Sequence, residues 1–475
     1  MAASDKRRIR PSWAGLLAKI VCGAVAAGLI LSALSYAAVD SRNSITGNTM
    51  RDLYDQKRVD LVFLGSSTVY ESCVPDVFDA EAGVESFNAA TPAQTLRESY
   101  HQLKEVRRLY RPTRVLLGLG PQHLMDSVER DSLSASYLFD NMRWSPAKLE
   151  FLADAFNPDY YASALFPVVR LREELTADDV KAAARGRASE SAGRANPLEG
   201  EHLRYVGKGY VANMQVIEDG TLPEAPPLGF SGPESADADA LAYLSKIVSF
   251  CAENDMELTL FHTPFLPGAT EWIGDYAAYH DFIADYAERA GIAFMDFNYL
   301  NPAIITYEDG MFSDLEHATE DFARRFSEVF AGLVADGEAT APGASSVASG
   351  AAVSGEPPGG ADDDVSTGPR EGDEFFTEYD TYRELYDAVA STWVTEATES
   401  GARVASIGTA TPEYRVSVLN DDEDMETVYA GDWQTDDVAA FPPLESGDYV
   451  VTVEARPLGD EDAAPKGNWT ELHVD

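Results

Sequence analysis

The chain has 475 residues, with 80 Asp and Glu against 36 Lys and Arg, a formal net charge of −44. That length allows two or three domains at roughly 100–200 residues each, and 45% hydrophobic residues can build a sizeable core and exclude a disordered chain. The acidity excludes nucleic-acid binding, which needs a basic surface to meet phosphate. Three cysteines exclude a disulfide scaffold and a cysteine-rich zinc fold. The charge is uneven: from Asp336 to the end there are 32 acidic and 6 basic residues, and the first 335 residues hold 48 and 30.

Residues 1–12 are a basic tail with Lys6, Arg7, Arg8 and Arg10. Residues 13–39 are apolar apart from Lys19, and Ile20 to Val39 carries no charge over twenty residues. A helix of about 20 apolar residues crosses the hydrocarbon of a bilayer. The basic flank puts the N-terminus in the cytoplasm and everything after Asp40 outside. The expectation is a single-pass signal-anchor in the cell membrane with an extracellular working part. The small residues of Ala33 to Ala38 also fit a cleaved signal peptide, and both readings place the working domains outside the cytoplasm. Cys22 falls in the span. Cys73 and Cys251 then read as two buried thiols, with a bridge as the alternative.

Residues 40–58 are polar and read as a stalk. Val59 to Leu64 (VDLVFL), Arg114 to Leu119 (RVLLGL), Leu258 to His262 (LTLFH) and Ile292 to Met295 are short apolar runs, the mark of buried parallel strands. Thr95 to Tyr110, Ala238 to Asn254, Tyr276 to Ala290 and Glu320 to Val334 have helical spacing. The alternation predicts an α/β domain over residues 59–335, a parallel sheet with helices on both faces. An insertion at 137–232 interrupts it, helical and aromatic to Ala184 and irregular from Gly186 to Gly232. Residues 336–374 read as a flexible acidic linker. Residues 375–475 read as a small antiparallel β-sandwich, Ig-like in size, from the period-two runs EYRVSV and DYVVTVE.

Three pieces converge if the sheet is parallel, because such sheets carry their sites at the C-terminal ends of strands. Gly65-Ser66-Ser67 follows the first strand. Gly120-Pro121-Gln122-His123 follows RVLLGL and offers a side-chain amide. Asp314-Leu315-Glu316-His317 precedes the last helix. Serine is a weak nucleophile until an imidazole takes its proton. The imidazole needs a carboxylate to fix its tautomer, and the tetrahedral intermediate needs preorganised donors. Each piece alone has a plainer reading: Gly-Ser-Ser is common in loops, and Asp314 caps a helix.

In that order the pieces resemble the SGNH (GDSL-like) hydrolase superfamily, a flavodoxin-like α/β fold. The resemblance covers roughly Val59 to Ala335. It implies Ser67 as nucleophile, His317 as general base and Asp314 as the carboxylate that orients it. Ser66 stands where the family has Asp, and Gly120-Pro121-Gln122 stands in place of the Gly-x-Asn block. These departures resemble the membrane-anchored DltD-like proteins and the polysaccharide O-acetylation subgroup. Gln122 would then replace the Asn as oxyanion donor. The glycine of the family's second block falls in Phe87 to Ala93, where Ala93 offers a backbone amide, although Ala disfavours positive φ.

His262, at the end of a strand, lines the cleft or is a structural histidine, and His123 has the same two readings. Asn88 holds a turn or touches substrate. Asp421 to Asp424 with Glu426 reads as a solvated hairpin tip rather than a calcium loop. Trp433 and Trp469 stack on sugars or fill the core. No His-Glu-x-x-His, phosphate loop or complete dinucleotide motif occurs, so no cofactor and no metal are expected.

The expected function is an extracytoplasmic serine acyltransferase or esterase acting on a cell-wall or exopolysaccharide glycopolymer. The resemblance implies acetyl or D-alanyl as the acyl group and a membrane-bound O-acyltransferase (MBOAT) as partner. The alternative is a non-catalytic SGNH-like scaffold or glycan-binding protein of the envelope.

Overall fold

The computed structural model describes residues 13–38, 44–173, 175–178, 180, 181, 183, 202–216, 228–266, 269–301, 304–336, 376, 391–407, 411–421, 425–460, 463 and 465–474. The expected linker, apart from Asp336, and Asp422 to Asp424 lie outside them. In chain order the elements are α1 (Trp13–Ala38), α2 (Ile45–Asp55), β1 (Leu61–Leu64), α3 (Ser67–Ser72), α4 (Pro75–Ala82), β2 (Ser86–Asn88), α5 (Leu96–Tyr110), β3 (Arg114–Gly118) and α6 (Pro121–Met125). Next come α7 (Leu133–Asn141), α8 (Pro146–Ala155), α9 (Tyr161–Leu165) and α10 (Pro167–Arg170), then a hairpin of β4 (Leu203–Gly207) and β5 (Tyr210–Asn213). The α/β part closes with α11 (Ala238–Glu253), β6 (Glu257–His262), α12 (Tyr276–Ala290), β7 (Ala293–Asp296) and α13 (Glu320–Asp336). The chain divides into two compact units: Met1–Gly47 with Glu129–Asn196, and Asn48–Val128 with Pro197–Asp475.

In the second unit, five parallel strands run in the order β2-β1-β3-β6-β7. Every residue of β1 is buried, as its unbroken apolar run requires. The strand order reverses beside β1, so a crevice opens outside the C-terminal ends of β1 and β3. Helices flank the sheet in two packed groups, α5 with α11 and α13 with α3 and α4. The start of α5 is a capping box, with Thr95 N donating to Glu98 Oε2 at 3.0 Å. It stops at Arg111, in the left-handed region ahead of Pro112.

The C-terminal strands form two antiparallel sheets, β11-β10-β13-β14 and β12-β9-β8. These are β8 (Ser391–Thr398), β9 (Gly401–Ile407), β10 (Pro412–Asn420), β11 (Thr427–Ala430), β12 (Val438–Ala440), β13 (Gly447–Pro457) and β14 (Lys466–Val474). They share a core of Val394, Val404, Val416, Val418, Val451 and Val453. Period-two alternation is what supplies those inward side chains.

In the first unit, 23 residues of α1, Gly15–Ala37, are long and apolar enough to cross a membrane, and they are the one such helix among the described residues. Phe139, Phe151 and Phe156 form the aromatic centre of the helical insertion. Arg170 on α10 donates to Asp140 on α7 and ties the two helices.

Three features differ from the sequence reading. The polar stretch read as a stalk contains α2, whose Thr49, Met50 and Leu53 are buried. The stretch read as irregular holds the β4–β5 hairpin, whose Tyr210 to Asn213 is buried throughout. The edge strand β2 is only three residues long, too short to show a period.

Candidate active site

The turn after β1 presents Ser67 because two glycines make room for one valine. A Cβ on Gly65, which sits at φ +143°, would lie 2.6 Å from Val69 Cγ2. A Cβ on Gly118, at the end of β3, would lie 2.2 Å from the same methyl. Val69 is wholly buried between the two strand ends, which seats α3 and fixes Ser67 as its first residue.

Ser67 Oγ lies 2.7 Å from His317 Nε2, and His317 Nδ1 lies 2.7 Å from Asp314 Oδ2. The Asp314 carboxylate accepts a hydrogen bond from Nδ1–H, which fixes the tautomer that leaves Nε2 of the neutral ring to accept from the serine. Asp314 Oδ1 also accepts from the backbone N–H groups of Glu316 and His317, both at 2.9 Å. A three-residue spacing thus lets one aspartate hold its own turn and the imidazole together.

Burial works against the Asp314 charge, but the hydrogen bond and charge of His317 outweigh it and lower its pKa. Burial likewise works against the imidazolium. The Asp314 hydrogen bond and the charges of Glu71, Asp314 and Glu316 outweigh that and raise the His317 pKa. The site therefore stabilises a cation on His317 more than water does.

Two of those anions were not singled out in the sequence. Glu71 lies one helical turn after Ser67 on α3 and is buried. Asn213, the last residue of β5, donates to Glu71 Oε2 and to Ser313 Oγ, both at 2.8 Å. The Ser313 hydroxyl lies 3.4 Å from the His317 carbonyl, so one amide joins α3 to the Asp314–His317 turn. Burial pushes the Glu71 carboxyl up to about 7, against the opposing pull of His317 and Asn213. Burial also raises Glu316.

The other expected residues fall in two places. Gln122, Ala93 and His123 line a small cavity of about 230 Å³ beside Ser66 and Ser67. The Gln122 amide donates to Glu316 Oε2 at 3.1 Å, so one of its two hydrogens is already engaged. Ala93 adopts φ 50°, the left-handed region that alanine resists, at a cost of about 1–2 kcal/mol. Gly120 N donates to His123 Nδ1 at 3.1 Å, and burial lowers that imidazole to about 4 and keeps it neutral.

Asn88 and His262 lie in the core, not on that cavity. Asn88 donates to the Val69 and Cys73 carbonyls at 3.0 Å, which fastens the end of β2 to α3. His262 is buried, its Nδ1 2.5 Å from Asn298 Nδ2 and 2.8 Å from the Thr263 carbonyl. On its other side Ser67 borders an open cleft of about 1370 Å³, lined also by Tyr70, Glu71, Asn213, Thr452 and Trp469. Trp433 is covered by the Arg415 and Arg456 guanidinium groups, while Trp469 is 57% exposed. Cys73 and Cys251 are buried free thiols.

No protein-family model matches the chain, and no curated protein matches it. Among solved structures it is similar to a protein described as lipolytic, of the G-D-S-L family, from Desulfitobacterium hafniense DCB-2. The identity is 12% and the TM-score 0.28, over 57% of this chain and 97% of that one. It is also similar to a protein described as an acylhydrolase from Bacteroides fragilis NCTC 9343, at 12% identity and a TM-score of 0.27, over 59% of this chain and 91% of that one.

Proposed function

We propose that the protein is a membrane-anchored, extracytoplasmic serine acyltransferase or esterase of the SGNH type. It acts on a glycopolymer of the cell envelope, by transfer or removal of an O-acetyl or D-alanyl group. The observation that carries the reading is the unbroken hydrogen-bond chain from Ser67 through His317 to Asp314. In the first half-reaction Ser67 Oγ attacks an ester carbonyl and its proton passes to His317 Nε2. Collapse of the tetrahedral intermediate breaks the ester bond, and the leaving oxygen takes that proton. In the second half a glycan hydroxyl or water attacks the acyl-serine while His317 again takes and returns one proton.

The small cavity suits a short acyl group such as acetyl or D-alanyl, and its Ala93 backbone amide and Gln122 side chain are the candidate oxyanion donors. The open cleft suits a bulky acceptor. An MBOAT-type partner would hand over the acyl group at the membrane.

Treatment of the full chain with a fluorophosphonate probe tests the reading. Wild type should label and Ser67→Ala should not. Equal labelling of both, or a correctly folded wild type that stays unlabelled, refutes it. The second outcome favours a non-catalytic envelope scaffold, a reading that the engagement of Gln122 with Glu316 supports.

A further inference from the structure

The insertion between β3 and the β4–β5 hairpin takes no part in the Ser67 chemistry, and it is unlike the rest of the protein in charge. The unit made of Met1–Gly47 and Glu129–Asn196 holds 15 basic and 13 acidic residues, a net of +2. The other unit holds the remaining 21 and 67, a net of −46. Of the first unit's cations, Lys6, Arg7, Arg8 and Arg10 lie before the span, and residues 129–196 alone hold 9 basic and 11 acidic residues, a net of −2, so the insertion is close to neutral in a strongly acidic chain.

That part touches α1 at depth. Val168 N donates to Ser35 Oγ at 3.2 Å, two residues before the outer end of the apolar span at Ala37. The ring of Phe166 lies over Gly28, where an added Cβ would be 3.9 Å from Phe166 Cζ. Gly28 is nine residues inside that end, about 13 Å at 1.5 Å per residue. The hydrocarbon half-thickness is about 15 Å. Gly28, Leu31 and Ser35, spaced along one face of α1, are the residues of the span that the insertion shields. A segment that meets the span so far from its end reaches hydrocarbon.

The exposed side chains of the insertion have the matching chemistry. Leu133 and Tyr137 share a face of α7, Trp144 follows it, and Leu149 stands on α8, all exposed, Trp144 by 67%. Lys148 is buried, its ammonium bonded to the Met142 carbonyl and 4.9 Å from the Trp144 ring centroid, while Arg143 beside Trp144 is exposed. Large apolar groups, a Trp, a Tyr and flanking cations are the composition of a bilayer interface.

We infer that the insertion from Leu133 to Arg170 is seated in the non-cytoplasmic leaflet against α1, with bilayer lipid as its occupant. This rests on the reading of α1 as a retained anchor. The full chain, with Cys22→Ser, is spin-labelled at Trp144→Cys or Leu149→Cys. It is reconstituted in vesicles of phosphatidylcholine with a minor fraction of phosphatidylglycerol. Leu29→Cys on α1 and Val206→Cys on β4 serve as the lipid and water references, and all four positions are exposed. The readout is the accessibility of the label to oxygen relative to a water-soluble nickel chelate. Labels at 144 and 149 should give a several-fold higher ratio than the label at 206. Water-like ratios at 144 and 149 with a lipid-like ratio at 29 overturn the inference and leave the anchor standing. A water-like ratio at 29 removes both. Labels that are water-accessible in vesicles but shielded in native membranes make the occupant a protein, which also overturns it.

Discussion

In the proposed reaction the proton that leaves Ser67 rests on His317, so the groups that favour an imidazolium set how the site responds to pH. Asp314 is one, bonded to Nδ1 at 2.7 Å. Asp314→Asn keeps the shape but favours the wrong tautomer, and kcat should fall by about 10⁴, read in ester hydrolysis. Glu71 is the other. While ionised it raises the His317 pKa, and the base acts only when neutral, so activity is lost as pH falls through that pKa. Glu71→Gln keeps an acceptor for Asn213 and removes the charge. The acid limb of kcat/KM should therefore move down by about one pH unit. An unmoved limb would show that the two groups do not communicate. The juxtaposition of Ser67, Asp314 and His317 was legible because a parallel sheet brings the turn after its first strand and the loop before its last helix to one edge. Glu71 and Asn213 were not. A glutamate one turn into a short helix and an asparagine in a Gly/Pro-rich stretch become partners only across 142 residues of chain.

At the scale of elements, one side chain, Val69, packs over the paired ends of β1 and β3. Gly118→Ala would place a methyl 2.2 Å from Val69 Cγ2, closer than any relaxation of β3 alone can absorb. Overpacking of this kind costs about 1–3 kcal/mol. The denaturation midpoint should drop accordingly, and Val69→Ala in the same chain should recover part of the loss. Equal midpoints for Gly118→Ala and wild type would contradict this packing. The buried strands and long helices were readable because their apolar patterns match their burial, as in Tyr276–Ala290, whose bounds agree with the sequence reading. Helix α2 and the β4–β5 hairpin were not. Their buried faces mix Thr, Asn and Tyr with apolar residues, so polarity suggested solvent where the fold buries them, Asn213 against Glu71 and Ser313.

For the molecule as a whole, the net charge of −44 is the sum of two unlike parts, +2 and −46. The near-neutral part holds the apolar helix and the insertion that packs on it. If α1 is a retained anchor, the mature protein keeps it. The mass of the chain purified from membranes should match the full-length sequence, and loss of the residues before about Ala38 would show cleavage instead. The sequence displayed the acidity but not its division, because the split follows contacts between segments on either side of the sheet's first strands.

The single amide of Asn213 has a consequence in time. It bonds Glu71 and Ser313, partners 142 and 100 residues away, and Ser67 reaches its imidazole across 250. Contacts so distant in sequence form late, since long loops must close before they are rewarded. A nascent chain that already displays Ser67 therefore has no base for it. In the proposed reaction, competence arrives only when the Asp314–His317 turn has been made and docked, so an unfinished chain would not be trapped as an acyl-enzyme.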